Sequence, residues 1–306
     1  MKLALAPRRS VLILAADDRQ GGGMDVRTWR EAGEADEEFA PVEQIPGALD
    51  RGVLVVCDHA ANKLPLRYGG LGLPREALER HIAYDIGAAW LARRLADRLG
   101  APAVLSTFSR LLIDANRGGD DPTLVMRVSD GDLVPGNARI DAREIARRRD
   151  LYWAPYRSAI AATVEAMLAS GEPPAILSVH SFTPHWRGQA RPWKVGVLWD
   201  SDPRLSAPLI RALGAEPDIG PGAVGDNEPY DGGLPGDTIN AVATARGLAN
   251  ALIEVRQDLI GERTAAEAWA DRLARVVAPL IAPSTTRAPQ DWGSRAEGRP
   301  RARPPA

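Results

Sequence analysis

Short apolar runs alternate along the chain with longer stretches in which apolar residues recur at helical spacing. The runs predict strands at 52–57, 102–107, 110–114, 175–180, 194–199 and 250–255. The stretches predict helices at 75–99, 142–171, 203–213, 236–247 and 263–281. Helices of this length between apolar strands indicate an α/β protein. We expect a three-layer α/β/α domain around a mixed, largely parallel sheet.

The two ends of the chain depart from this pattern. Residues 1–45 are rich in charged residues, and residues 284–306 are rich in Pro, Arg, Ser and Gly. Both compositions are typical of disordered segments, so we expect a single domain over residues 46–283.

Composition and charge restrict the partners. The formal net charge of -2 gives no reason to expect a nucleic acid partner. The single cysteine, Cys57, lies in an apolar run and is predicted to be a buried structural thiol, which fits a reducing compartment. No stretch approaches the roughly 18 apolar residues of a membrane span, so we expect a cytoplasmic protein without a membrane partner.

Two histidines directly follow predicted strands. His59 comes after the run 53–57, and His180 comes after the run 175–179. In sheets of this kind ligands bind beyond the carboxyl ends of the strands, and neutral imidazole is a common zinc ligand. We therefore predict that the two histidines bind a metal ion. For His59, capping of the following turn is the alternative.

Asp85 is the best candidate for a third ligand, because a hydrolytic zinc site uses about three protein ligands and keeps one open position. It lies among apolar residues in the predicted helix 75–99, where an unpaired aspartate is costly. A salt bridge within the helix is the alternative. Asn62 stands where a zinc exopeptidase with a His-x-x-Glu pattern carries its glutamate.

Polar residues also flank the predicted strand 110–114. Asn116 and Arg117 offer amide and guanidinium donors that suit a substrate carboxylate, and the charge of Arg110 at the edge of the apolar run needs a partner as well. An internal ion pair of either arginine with Asp114 is the alternative.

Glu254 and Arg256 interrupt the last predicted strand and share one of its faces, because strands have period two. Glu254 is a candidate general base for a metal-bound water, and Arg256 for stabilising charge on the acyl oxygen. A Glu254–Arg256 pair that braces the strand is the alternative. The glycine-rich segment 225–233 carries Tyr230, which we predict to cover and contact the substrate. An ordinary surface loop is the alternative there.

Taken in order, five of these motifs resemble the N-formylglutamate amidohydrolase family over about residues 50–262. They are Asp58-His59, Asp85-x-Gly-Ala, Asp114-x-Asn116-Arg117, Val179-His180-Ser181 and Ile253-Glu254-x-Arg256. The resemblance implies a phosphorylase/hydrolase-like fold related to zinc exopeptidases and aspartoacylases. It also implies a water nucleophile and one divalent metal ion. We expect zinc, with cobalt or manganese as alternatives.

The resemblance further implies a role for each matching residue. His59, Asp85 and His180 would be the metal ligands, Glu254 the general base, and Arg110, Asn116 and Arg117 the groups that hold the substrate carboxylate. Val242 departs from the family pattern, because members often carry a histidine there.

The expected activity is hydrolysis of a small N-formyl or N-acyl amino acid, with an acidic amino acid as product. A metallo-exopeptidase or deacylase acting on another amide is one alternative. A carboxylate-binding protein without catalysis is the other.

Overall fold

The computed structural model describes residues 39–297 and 299–300. The main strands of this part are β1 (Val42–Ile45), β2 (Val53–Cys57), β3 (Ala103–Ser106), β4 (Ala175–Phe182), β5 (Val195–Leu198), β6 (Val224–Asp226) and β7 (Asn250–Arg256). They form one seven-stranded sheet in the order β1-β3-β2-β4-β7-β5-β6.

The centre of the sheet is parallel and its edges are reversed. Strands β3, β2, β4 and β7 run in the same direction. At one edge β1 is antiparallel to β3, and at the other β5 is antiparallel to β7 while β6 is parallel to β5. The predicted mixed, largely parallel sheet is confirmed.

The helices lie between the strands along the chain. They are α1 (Arg75–Leu78), α2 (Ala88–Leu99), α3 (Ala142–Arg148), α4 (Ala154–Ala169), α5 (Pro203–Gly214), α6 (Thr238–Val242), α7 (Arg263–Ile281) and α8 (Ser284–Arg287). A π-helical turn at Arg149–Trp153 joins α3 to α4, so the predicted helix 142–171 is nearly continuous.

Alternating strand residues divide the core into two layers. In β2, Val53 and Val55 pack in one hydrophobic cluster with residues of α2, α5 and α7, whereas Leu54 and Val56 pack in a second with residues of α4. A sheet that is apolar on both faces has to be covered on both, which explains the three-layer α/β/α arrangement.

The prediction of a strand at 110–114 is wrong. This segment is a series of turns whose backbone amides bond locally, for example Leu112 N to Ser109 O and Asp114 N to Leu124 O. Its apolar side chains are buried because Leu111 and Leu112 enter different hydrophobic clusters. Burial of a loop therefore produced the same apolar run as a buried strand.

The predicted helix 75–99 is interrupted. Gly87 adopts a left-handed conformation (φ 82°) just before α2, and a Cβ there would lie 2.1 Å from the carbonyl oxygen of Ile260. The chain therefore needs a glycine at this turn. Asp85 consequently lies in the turn that precedes α2 and not in a helix. The predicted helix 236–247 is likewise shorter and ends as α6 at Val242.

Both ends contain structure where disorder was predicted. Within 1–45 the residues Val42–Ile45 form β1, and within 284–306 the residues Ser284–Arg287 form α8, while Gly293–Ser294 pair with Arg299–Pro300. The prediction is wrong for these residues because their backbones find partners, β1 on β3 of the domain and the two short C-terminal strands on each other. Residues 1–38, 298 and 301–306 of that prediction lie outside the described residues.

Candidate active site

A cavity of about 450 Å³ is lined by residues at the carboxyl ends of the central strands and by the loops beyond them. Of the residues predicted from the sequence, the following line it: His59, Asp85, Arg110, Asn116, Arg117, His180, Tyr230 and Glu254. The fold thus brings together side chains that are up to 195 positions apart in the sequence, from His59 to Glu254.

His59, Asp85 and His180 form a buried group that could hold a metal ion, with one donor atom of each within 4.8 Å of the others. Asp85 Oδ2 lies 2.9 Å from His180 Nδ1 and 3.5 Å from His59 Nδ1. Two imidazole nitrogens and one carboxylate oxygen are a donor set that suits zinc. The chemistry of these residues therefore fits one divalent metal.

His59 is oriented by a carboxylate on its far side. Its Nε2 lies 2.7 Å from Asp114 Oδ1, while Arg110 Nη2 lies 2.6 Å from its Nδ1. Arginine can only donate, so Nδ1 accepts and Nε2–H donates to Asp114. This tautomer directs the lone pair of Nδ1 toward the group of ligands, as metal binding requires.

His180 is held in the same manner by Asp58. Its Nε2 lies 3.0 Å from Asp58 Oδ2, and this carboxylate also accepts hydrogen bonds from Ser178 Oγ (3.0 Å) and Thr238 Oγ1. Burial alone would lower the pKa of His180, but its hydrogen bonds to Asp58 and Asp85 outweigh burial and raise that pKa to about 10. Both ring nitrogens thus face carboxylate oxygens, since Nδ1 lies 2.9 Å from Asp85 Oδ2.

Arg110 supplies a positive charge beside the same group. Its Nη2 donates to Asp85 Oδ1 as well as to His59 Nδ1. Burial alone would raise the pKa of Asp85, but Arg110 and the two histidines hold it well below its usual range. Since Nδ1 of His59 has one lone pair, its hydrogen bond from Arg110 must break when that nitrogen binds a metal.

Glu254 faces the cavity from β7 and is the register partner of His180 on β4. Its carboxyl is buried, and Oε2 has no hydrogen-bond partner among the described residues. Burial raises the pKa of Glu254 to about 7, although the charge of nearby His180 opposes this rise. A carboxyl with this pKa and a free acceptor atom can take a proton near neutral pH.

Arg256, predicted as a catalytic residue, is not among the residues that line this cavity. Its guanidinium binds Asp258 through two hydrogen bonds of 2.8 and 3.1 Å and also donates to the carbonyl of Arg191. Arg256 is the last residue of β7.

Asn116 and Arg117 occupy the wall formed by the loop after residue 114. Asn116 Oδ1 accepts a hydrogen bond of 3.0 Å from Thr238 N, which fixes the loop to the start of α6. Arg117 donates to Thr123 Oγ1 and to the carbonyl of Asn116. Both of these partners are neutral, so the guanidinium keeps its charge for an anionic ligand.

The cavity also contains acidic residues that sequence reasoning missed. Asp231 and Asp237 line it beside Tyr230. Asp237 caps α6, with its carboxylate accepting from Asn240 N at 2.7 Å. The sequence signal was an aspartate directly before a helical stretch, which marks a cap but does not place it in a cavity.

No helix among residues 39–297 and 299–300 has the length and apolar character needed to cross a membrane.

Comparison with known proteins extends the similarity beyond the motifs. Residues 51–261 match the family model described as N-formylglutamate amidohydrolase. The crystal structure of a gene product from Agrobacterium tumefaciens is 30% identical with a TM-score of 0.74, and the match covers 81% of this chain and 97% of that one. A search of the curated proteins gives no match.

A second solved structure is the N-formylglutamate amidohydrolase from Ralstonia eutropha JMP134. It is 21% identical with a TM-score of 0.61, and the match covers 79% of this chain and 96% of that one. At this identity the likeness supports the α/β fold alone.

Proposed function

The chain belongs to the N-formylglutamate amidohydrolase family, and from this membership we propose that it hydrolyses the amide bond of an N-formyl or N-acyl amino acid with the help of one divalent metal ion. The observation that carries the proposal is the buried group of His59, Asp85 and His180, which lines one cavity together with Glu254. Family membership supports the amidohydrolase activity, and the donor set supports the metal.

His59 Nδ1, His180 Nδ1 and Asp85 would hold the metal, with zinc favoured by two imidazoles and one carboxylate and with cobalt or manganese as alternatives. When bound, such an ion polarises a carbonyl group and lowers the pKa of water toward about 7. Asp114 and Asp58 contact the two rings at Nε2 and would keep their Nδ1 atoms available to such an ion.

Glu254 is the proposed general base. Its pKa of about 7 allows it to take a proton from the attacking water and to return that proton to the leaving amine. Its buried Oε2 has no hydrogen-bond partner among the described residues, which leaves this oxygen free for the exchange.

Arg117, Asn116 and Arg110 are the proposed contacts for the carboxylate of the substrate. These three residues line the same cavity as His59, Asp85 and His180. A substrate whose carboxylate they bind would have its scissile amide directed toward the proposed metal ligands. Tyr230 lines the cavity as well, and its ring lies 5.1 Å from the guanidinium carbon of Arg191. We propose that Tyr230 contacts the acyl amino acid.

We propose an acidic amino acid as the first candidate for the product. Arg110 and Arg117 favour a substrate that carries a second carboxylate, on its side chain, besides the carboxylate of the amino acid itself. Asp231 and Asp237 in the same cavity offer hydrogen-bond acceptors, so a second candidate is an N-acyl amino acid with a neutral or basic side chain that carries a donor. The two candidates differ only in the side chain of the substrate.

A panel of amides separates the candidates. It contains N-formylglutamate, N-acetylglutamate, N-formylglutamine, N-formyl-lysine and a dipeptide, each assayed for the released amine with added zinc, cobalt or manganese. Turnover of N-formylglutamate well above the other compounds supports the first candidate, and preference for glutamine or lysine supports the second. No turnover of any amide with any metal would contradict the proposed activity.

A further inference from the structure

Two segments meet at the edge of the active-site cavity. The covering loop, residues 227–237, contributes Tyr230, Asp231, Leu234 and Asp237 to the cavity wall. The C-terminal strap, residues 288–297, lies beyond residue 261, where the match to the family model ends. The strap therefore belongs to a part of the chain to which the family match assigns no role.

Arg295 of the strap binds Asp231 of the covering loop at two points. Its Nη2 lies 2.7 Å from Asp231 Oδ1, and its Nη1 lies 3.2 Å from Oδ2. The same side chain donates to the backbone carbonyls of Trp199 (2.7 Å) and Asp200 (3.0 Å), directly after β5. Arg295 thus connects the covering loop to the edge of the main sheet.

The strap itself is fixed independently of the covering loop. The backbone N–H of Arg295 donates to Asp200 Oδ1 at 2.7 Å, and the hydroxyl of Ser294 donates to the other oxygen of that carboxylate. Asp200 and Ser294 are buried. Asn240 of α6 adds a hydrogen bond of 3.3 Å to Ser294 Oγ. The base of the Arg295 side chain is therefore anchored in the domain.

The tip of the covering loop is held mainly by polar contacts, among them hydrogen bonds from Gly232 N and Trp199 N to Asn227 Oδ1. Tyr230 is 44% exposed and the side chain of Asp231 is 63% exposed, so little apolar burial holds them. Asp231 Oδ1 also accepts from Gly233 N at 2.8 Å, so the carboxylate that binds Arg295 shapes the turn of the loop as well. Polar contacts from outside the loop, including those of Arg295, therefore add to the hold on its tip over the cavity.

We infer that Arg295 is a positioning residue that holds the covering loop over the active-site cavity through Asp231. Because Tyr230 and Leu234 lie on either side of Asp231 in the wall of the cavity, release of Asp231 loosens the side of the cavity that closes on a bound amide. The kinetic part of this inference rests on the proposed function, whereas the structural part does not.

The test compares Arg295→Ala and Arg295→Lys with the wild type. Arg275→Ala is the matched control, because Arg275 makes a similar two-point pair with Glu216 on the outer face of α7, away from the cavity. Hydrogen–deuterium exchange by mass spectrometry reports the loop directly, and KM with the best substrate of the panel reports its effect on binding.

In Arg295→Ala we expect exchange in peptides covering 227–237 to rise by about two- to fivefold, the range that loss of an exposed ion pair supports. KM should rise by a similar factor with kcat and metal content little changed, and Arg295→Lys should fall between alanine and wild type. Arg275→Ala should match the wild type in both readouts. Exchange of the covering loop in Arg295→Ala equal to that of the wild type would overturn the inference. If the wild type turns over no amide, the proposed activity fails, and the exchange measurement still decides the role of Arg295.

Discussion

His180 and Glu254 are direct register partners on the neighbouring parallel strands β4 and β7, and both side chains are buried in the wall of one cavity. A carboxyl that lacks a hydrogen-bond partner on one oxygen thus lies beside an imidazole that points at Asp85. Because the strands fix the backbone of each residue, the spacing between the proposed base and a proposed ligand is set by the sheet and not by a flexible loop.

The first prediction concerns the proposed base. Glu254→Gln keeps the shape of the side chain and removes its ability to accept a proton, so kcat should fall by about 10²- to 10⁴-fold. Metal content should stay at the wild-type level, because Glu254 is not one of the three proposed ligands. Steady-state kinetics with the best amide of the panel measures the loss.

Glu165→Gln is the control for this substitution, since Glu165 is exposed on α4. The assignment of Glu254 as base would be wrong if its variant kept activity within about tenfold of the wild type, far above the residual rate expected without a general base.

The second prediction concerns the orientation of His59. Asp114→Asn removes the anion that accepts the hydrogen bond from His59 Nε2 and leaves the three ligands in place. Loss of such a partner lowers metal affinity by about 10- to 100-fold. Competition of the protein with a chromophoric chelator measures the change in Kd for zinc.

The matched control is Asp150→Asn, which changes an exposed aspartate of the same charge. Equal affinities of wild type and Asp114→Asn for zinc would show that Asp114 does not support a metal ligand.

The third prediction concerns stability and pH. Burial raises the pKa of Asp237 from 3.8 to about 7, so between these values the folded protein keeps a proton that the unfolded chain has lost. The unfolded chain then binds fewer protons, and the contribution of Asp237 to stability decreases as pH rises from 4 to 7. Asp237→Asn removes this penalty and keeps an acceptor for the cap of α6.

The difference in melting temperature between Asp237→Asn and the wild type should therefore increase in favour of the variant by a few degrees per pH unit between pH 4 and 7. Above pH 7 this difference should stay constant. Asp141→Asn is the control, because Asp141 caps α3 in the same manner at an exposed position. A gain that does not change with pH would contradict a raised pKa at Asp237.

Much of the site could be predicted from sequence because its residues follow the ends of recognisable strands. His59 and His180 each come at or near the carboxyl end of a buried parallel strand, and those ends share one edge of the sheet. Asp85 could be predicted because an aspartate among apolar residues is costly unless it is paired. The sequence nevertheless assigns it to a helix, whereas it lies in the turn before α2. The left-handed turn at Gly87 depends on the approach of Ile260, which lies 173 positions later in the chain.

The failures share a physical cause, because each depended on tertiary contacts. The run Leu111–Ile113 is apolar because it is buried under helices, and periodicity does not distinguish such a loop from a strand. At the end of β7, Arg256 binds Asp258 and two backbone carbonyls, contacts that the sequence does not show. The C-terminal residues have a composition typical of disorder, yet Ser294 and Arg295 find partners on Asp200.

The most direct test of the account is the metal content of the purified protein, measured by elemental mass spectrometry on the wild type and on a His59→Ala/His180→Ala double variant. We predict about one zinc or similar divalent ion per chain in the wild type and loss of that ion in the double variant, because two of three ligands are removed. A wild type that binds no metal, even after incubation with zinc, cobalt and manganese, would contradict the proposed metal-dependent hydrolysis.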